Sequence, residues 1–203
     1  SEANNLFLKG AAATMKPALV AVSGIEHPCV REPARQLQRG GWTMREIAVD
    51  AQGRIAHEDW QAVLAARPRL VSVMLANNET GVLQPLGEIS AIAREHGVAV
   101  LCDAVQAAGR VAIDFATSGV DYMMISSHKI GGPKGVGALI AKGGGDIPPR
   151  VIGGGQENRR RAGTENGEGI AGGGDAAEAA LRDVAAMARS GAWRDRIEQE
   201  ACA

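Results

Sequence analysis

Lys129 stands where a lysine has little use as a surface charge. It closes Ser126-Ser127-His128-Lys129, which follows the apolar, β-rich run Val120-Asp121-Tyr122-Met123-Met124-Ile125 and precedes the glycine-rich Ile130-Gly131-Gly132-Pro133-Lys134-Gly135-Val136-Gly137. Partial burial disfavours an ammonium, and the free amine that results can attack a carbonyl carbon. The plainer alternative is a lysine capping a strand on a solvated rim, and its neighbours argue against that. Upstream, Val98-Ala99-Val100-Leu101-Cys102 reads as a strand buried on both faces, ending in Asp103. That is the carboxyl end of the strand, where open α/β sheets bind ligands. Lys129 follows Asp103 by 26 residues, enough for a helix or loop and a return strand, so both side chains can converge on one small ring. An amine for an aldehyde and a carboxylate for a protonated pyridine nitrogen are the two groups that pyridoxal 5'-phosphate (PLP) requires. Asp103 also fits as the N-cap of the segment after it, and its local sequence leaves both readings open.

Two further strands end in polar clusters. Leu70-Val71-Ser72-Val73-Met74-Leu75-Ala76 runs into Asn77-Asn78-Glu79-Thr80-Gly81, where an Asn amide could donate to the phenolic oxygen of PLP. Ala18-Leu19-Val20-Ala21-Val22-Ser23 runs into Gly24-Ile25-Glu26-His27. Strand ends thus deliver His27, Asn78, Asp103 and Lys129, and four such residues at four strand ends are far less expected by chance than one.

The elements that must position them alternate along the chain. Helical patterns fit residues 2–9, 29–39, 57–66, 86–96 and 171–189, and strands fit 18–23, 45–49, 69–76, 98–102, 120–125 and 136–141. Alternation with short connections predicts an α/β fold of three layers, a mostly parallel sheet flanked by helices. A chain of 203 residues can bury a large core. Its net charge of −1 argues against a nucleic-acid surface, and no apolar stretch reaches the ~18 residues of a membrane span. The 27 glycines are about twice ordinary usage and gather in 131–145 and 153–155, where they permit close backbone approach to a ligand. Neither the G-K-[ST] phosphate loop nor the dinucleotide G-x-G-x-x-G pattern after a strand occurs, and no metal site is read. Arg159-Arg160-Arg161 is the one basic run, either a solvated turn or an anion contact near the cofactor phosphate. Three cysteines and no signal peptide suggest reduced thiols and a cytoplasmic protein. Of these, Cys102 is expected to be core, Cys202 a tail residue, and Cys29 a neighbour of His27 that is not the reacting sulfur.

These motifs resemble the cysteine desulfurases of the class V aminotransferase family, in the branch that serves iron–sulfur cluster assembly and nitrogenase. The matching segments are E-H-P-C-V from Glu26, N-N-E-T-G from Asn77, C-D-A-V-Q from Cys102, S-S-H-K-I-G-G-P-K-G-V-G-A-L from Ser126, G-G-G-Q-E from Gly153 and R-A-G-T-E-N from Arg161. They cover nearly the whole chain, and N-N-E-x-G together with R-x-G-T distinguishes this branch from the other desulfurases and from selenocysteine lyases. The resemblance implies a PLP-dependent transferase large domain of fold type I. It implies that Lys129 forms the Schiff base and that His27 stacks on the ring and serves acid–base steps. Asp103 is implied to pair with the pyridine nitrogen, and Asn78 and Gln106 to face the phenolic oxygen. Ser126, His128 and Ser1 are implied to bind the phosphate. Ser1 precedes a helix, whose N-terminus attracts such a group. Thr164 is implied to reach the neighbouring subunit's phosphate in a homodimer. The substrate implied is L-cysteine, converted to L-alanine and an enzyme persulfide, and the partner is a sulfur acceptor or iron–sulfur scaffold protein.

Against the family pattern, the chain is expected to be a piece of a longer protein. Residues 1–190 correspond to the PLP-binding large domain, incomplete at its N-terminus. Residues 191–203 begin the connection to a small C-terminal domain, which would carry the persulfide cysteine and the arginine that holds the substrate carboxylate. Activity is therefore expected of the longer protein rather than of the fragment alone. Two other readings remain. One is another class V enzyme, such as a selenocysteine lyase or an aminotransferase; the other is a non-catalytic scaffold of the same fold, which the joint presence of His27, Asn78, Asp103, Gln106 and Lys129 argues against.

Overall fold

The computed structural model describes residues 1–145, 147–187 and 189–202. An N-terminal helical stretch of α1 (Glu2–Asn5), a π-helical turn (Leu6–Gly10) and α2 (Ala11–Ala13) leads into β1 (Leu19–Ser23). There follow α3 (Pro28–Leu37), β2 (Thr43–Ile47), α4 (His57–Ala65), β3 (Leu70–Met74), α5 (Leu86–Glu95), β4 (Ala99–Asp103), the single turn α6 (Phe115–Ser118) and β5 (Tyr122–Ser126). A 3-10 turn (Ser127–Ile130), β6 (Gly137–Ala141), the short α7 (Gln156–Arg159), α8 (Gly167–Met187) and α9 (Ser190–Ala201) complete the order.

The six strands form one sheet in the order β2-β1-β3-β4-β5-β6, and only β6 runs antiparallel to its neighbour. The mostly parallel, helix-flanked sheet expected from the alternation is therefore present. Period-two alternation splits its buried side chains between two cores. Val20, Val22, Leu70 and Leu101 face the N-terminal helical stretch and α3, meeting Phe7, Leu8, Val30 and Ala34. Ala21, Val71, Val73, Val100 and Cys102 face α4 and α5, meeting Trp60, Val63, Leu64, Ile89 and Ala93. Burial on both faces is why the strands read as continuous apolar runs. The N-terminal stretch also reaches β5, where the rings of Phe7 and Tyr122 lie 4.8 Å apart, tilted by 54°.

Two elements sit elsewhere than expected. β2 lies at 43–47 rather than 45–49, because pairing with β1 fixes its register from Leu19 opposite Thr43 to Ser23 opposite Ile47. Val49 instead makes an isolated bridge to Ile55. Helix α8 starts four residues before the expected Ala171, since Asn166 Oδ1 accepts the Gly169 N–H at 3.1 Å and caps a glycine-rich first turn.

Candidate active site

Because β1, β3, β4 and β5 are mutually parallel, their carboxyl ends share one edge of the sheet. At the end of β1 the chain turns through Gly24, whose N–H donates to the Ile47 carbonyl at 2.9 Å. It then enters α3 at Pro28, with His27 as N-cap. Proline at the first helical position has no N–H to leave orphaned, which suits it to this place. His27 Nδ1 accepts the Cys29 N–H at 3.1 Å. In the neutral imidazole this fixes the proton on Nε2, on an exposed ring held at the rim of the site.

At the end of β3 the organising residue is Asn77, which sequence reasoning passed over for Asn78. Asn77 is buried; its Nδ2 donates to the Ile25 carbonyl at 3.0 Å. Its Oδ1 accepts from the N–H groups of Glu79 and Thr80 and from Thr80 Oγ1, at 3.0, 2.9 and 3.1 Å. One amide thus shapes the loop after β3 and ties it to the loop that carries His27. Asn78 is exposed and donates to Glu79 Oε1 at 2.6 Å.

Asp103 ends β4 with only 4% of its surface exposed. Its Oδ1 accepts the Val105 N–H at 3.0 Å, so the capping role is realised on the turn that follows. The same carboxylate faces Asn4 and His27. Burial pushes its carboxyl above the usual carboxylate range, opposed by the Val105 N–H, the Asn4 amide and His27. Gln106 sits half-buried in that turn, and its carbonyl accepts from the Arg110 guanidinium at 3.1 Å.

β5 delivers the lysine. Ser126 Oγ and His128 Nδ1 lie 2.9 Å apart, both on the open side. Ser127 points inward, and among the described residues its buried Oγ has no hydrogen-bond partner. A Cβ on Gly132 would stand 2.2 Å from that oxygen and 2.9 Å from Ala176 Cβ of α8. Gly132 therefore lets the turn bearing half-buried Lys129 settle directly on α8. Ser1 is exposed at the start of α1. The loop after β6 is tied to the same helix by Arg161, whose Nε and Nη2 donate to the two carboxylate oxygens of Glu2 at 2.8 and 3.3 Å. Thr164 is exposed on that loop; among the described residues its side chain is bonded to no other site residue. Of the basic run, Arg161 thus pairs with a carboxylate of the chain itself.

Three contributors lay outside the sequence reading. Asn4 is fully buried, donating Nδ2 to Cys29 Sγ at 3.1 Å and facing Asp103. The signal for it was the stripe Asn4, Phe7, Leu8, Ala11, in which one polar residue shares the buried face of a helix. Glu26 is buried too, and burial with neighbouring Asp103 holds its carboxyl well above the usual range. Asn77 has no local signal that separates it from Asn78. The two grooves beside the N-terminal stretch, about 360 Å³ between Lys9, Trp42 and Arg150 and about 460 Å³ between Ser1, Cys29 and Arg35, contain none of Lys129, Asp103 or Asn78.

Residues 1–200 match the family model described as aminotransferase class V. The chain is 43% identical over 179 residues to a cysteine desulfurase of Klebsiella pneumoniae, covering 88% of this chain and 45% of that protein. It is 44% identical over 201 residues to a cysteine desulfurase of Bradyrhizobium diazoefficiens, covering 98% and 51%. Among solved structures it resembles a NifS-like protein with a TM-score of 0.87 at 34% identity, over 91% of this chain and 52% of that one. It also resembles SspA, solved in complex with cysteine, with a TM-score of 0.81 at 34% identity, over 87% and 52%. The chain thus spans about half the length of the curated relatives it matches.

Proposed function

The chain belongs to the class V aminotransferase family, and on that premise we propose that it is the cofactor-binding part of a PLP-dependent cysteine desulfurase. The observation that carries this reading is one sheet edge bearing a buried carboxylate at Asp103, an imidazole of fixed tautomer at His27 and a lysine on a braced turn at Lys129. The residues present fit the group chemically. Lys129 offers an amine to the aldehyde, Asp103 a charge to the pyridine nitrogen, and Asn78 and Gln106 amides to the phenolic oxygen. Ser1, Ser126 and His128 offer donors to the phosphate, and Thr164 does so for the phosphate of a second subunit. PLP, when bound, supplies an electron sink for charge that develops on the substrate carbons.

The protein's own work is to bind, orient and move protons. Asp103, out of water, presents a fixed negative charge whose effect is stronger than it would be in solvent. His27 can give or take a proton at Nε2, because Nδ1 is occupied by the Cys29 N–H. The close approach of Gly132 to Ser127 and α8 holds the backbone turn that carries Lys129. The overall change proposed is cleavage of the Cβ–S bond of L-cysteine, leaving L-alanine, with the sulfur passing to an acceptor thiol as a persulfide. One structural neighbour holds cysteine, which supports that substrate. Residues 1–190 form the large domain on this reading, and 191–203 lead to a smaller one that carries the acceptor cysteine. Trp193 and Ile197, 70% and 67% exposed on α9, are apolar surface for it to cover. A homodimer through residues 153–166 is supported by exposed Val151 and Ile152 beside that loop. A sulfur acceptor or iron–sulfur scaffold is the onward partner. All three cysteines are free thiols, which fits the cytoplasm, and among the described residues no helix is long and apolar enough to cross a membrane.

The test is covalent. Borohydride reduction of the PLP-loaded protein, followed by peptide mass spectrometry, should find the cofactor on Lys129. Attachment at Lys134, or nowhere, would end this reading.

A further inference from the structure

Glu26 is a carboxyl group that the reading above leaves idle, yet it lies 3% exposed, one residue before His27 and beside Asp103. Its Oε1 accepts a long hydrogen bond from Ser72 Oγ at 3.4 Å, the Met74 backbone also favours its charged form, and among the described residues its buried Oε2 has no hydrogen-bond partner. Among the described residues no lysine, arginine or histidine forms an ion pair with it. Two neighbouring carboxyl groups withdrawn from water do not both ionise, because each charge raises the cost of the other.

The surroundings decide which one keeps the charge. Asp103 has the Val105 N–H at 3.0 Å, the Asn4 amide and the His27 ring, all of which favour a carboxylate. Glu26 has only Ser72 and the backbone of Met74. The other titratable groups facing Glu26 are Cys102 of β4 and Cys29 of α3, whose thiols its charge would push up. Neither can supply a counter-charge. We propose that Glu26 is a positioning residue that remains a neutral carboxylic acid and so reserves the pair's single negative charge for Asp103. It also anchors the loop entering α3, through Ser72 of β3. The benefit to a bound pyridine ring rests on the cofactor reading above; the proton on Glu26 does not.

The state of Glu26 sets a sign for stability. A carboxyl whose folded pKa is raised binds its proton more tightly in the native state than in the unfolded one. Native stability then falls as pH rises from the unfolded value of 4.5 toward the folded one, by up to about tenfold in the unfolding constant per pH unit. Glu26→Gln keeps the shape, cannot ionise and removes that slope.

The experiment compares the unmutated protein with Glu26→Gln, both free of PLP, by urea unfolding between about pH 5 and 8. The ratio of their unfolding constants should grow with pH in favour of the variant. In parallel, the infrared carbonyl stretch of a neutral carboxylic acid should be present near pH 7 in the unmutated protein and absent from Glu26→Gln. A flat or reversed ratio, or a band that survives in the variant, would overturn the proposal. If Glu26→Gln does not fold, the unmutated protein decides: absence of the neutral-acid band near pH 7 overturns the proposal. With PLP added, Glu26→Gln should retain the cofactor, and a loss of more than about tenfold in affinity, 1.4 kcal/mol, would show that Glu26 does not act by reserving charge. If the unmutated protein itself takes up no PLP, the cofactor reading fails, while the urea and infrared results still decide the proton.

Discussion

Replacing Asn77 by alanine should loosen the whole edge of the sheet, because one buried amide joins two of the loops that form it. Five hydrogen bonds are lost: the donations to the Ile25 carbonyl and, weakly, to Met74 Sδ, and the three accepted from Glu79 and Thr80. Each is worth about 1 kcal/mol net, and a buried partner left unsatisfied costs about 1–3 kcal/mol. Glu79 and Thr80 are exposed, so their N–H groups can turn to water and their share shrinks to about 0.5 kcal/mol each. The half-buried Ile25 carbonyl has fewer alternatives. The sum is about 3 kcal/mol, a large part of the roughly 5–15 kcal/mol that holds such a domain together. For a chain of this size it should appear as a fall in Tm on the order of 6–12 °C. The same loosening moves His27 and Asn78, so PLP retention should fall together with Tm. Asn77→Asp separates the contributions: it keeps the three accepted bonds but replaces the donor to Ile25 by an oxygen. It should therefore lose stability too, and lose more as the new carboxylate ionises. An alanine variant that loses less than about 1 kcal/mol, with an aspartate variant melting like the unmutated protein, would refute the reasoning. The loop would then be held by its backbone alone, through Asn77 N–H to Val82 and Gly81 N–H to Asn77.

Two other substitutions probe the site directly. Asp103→Asn keeps an oxygen for the Val105 N–H and removes only the charge, so urea unfolding should change little while PLP affinity drops by about 2–3 kcal/mol, read by equilibrium dialysis; equal affinity would make Asp103 merely a cap. Gly132→Ala places a Cβ against Ser127 Oγ and Ala176 and should cost about 1–3 kcal/mol, part of it recovered when Ser127 is also alanine, a coupling that a double-mutant cycle in urea measures.

The difference between what the chain announces and what it conceals follows from where each residue finds its partners. Strands buried on both faces leave an unmistakable apolar run, and the polar residue that ends such a run must stand at the sheet edge. His27, Asp103 and Lys129 were therefore legible from position alone, and the parallel sheet brings their strand ends together as expected. Asn77 and Asn78 are chemically identical neighbours, and only the approach of Ile25, 52 residues away in sequence, makes the first the organiser. Asn4 is known as a site residue only once α1 lies across Asp103. The early start of α8 and the shift of β2 were hidden likewise, since a cap at Asn166 and a register set by β1 override local propensity. Glu26 is the sharpest case. In sequence it is an ordinary glutamate after a turn; in the fold it is a buried carboxyl met only by Ser72 and the Met74 backbone, beside a second carboxyl whose charge Val105, Asn4 and His27 favour. Retaining an acid there costs stability at neutral pH, a cost that glutamine of nearly the same shape would avoid. A chain that carries this cost at the edge where its chemistry gathers ties its pH dependence to that edge, so Glu26→Gln should remove the slope of stability with pH while leaving the charge on Asp103 in place.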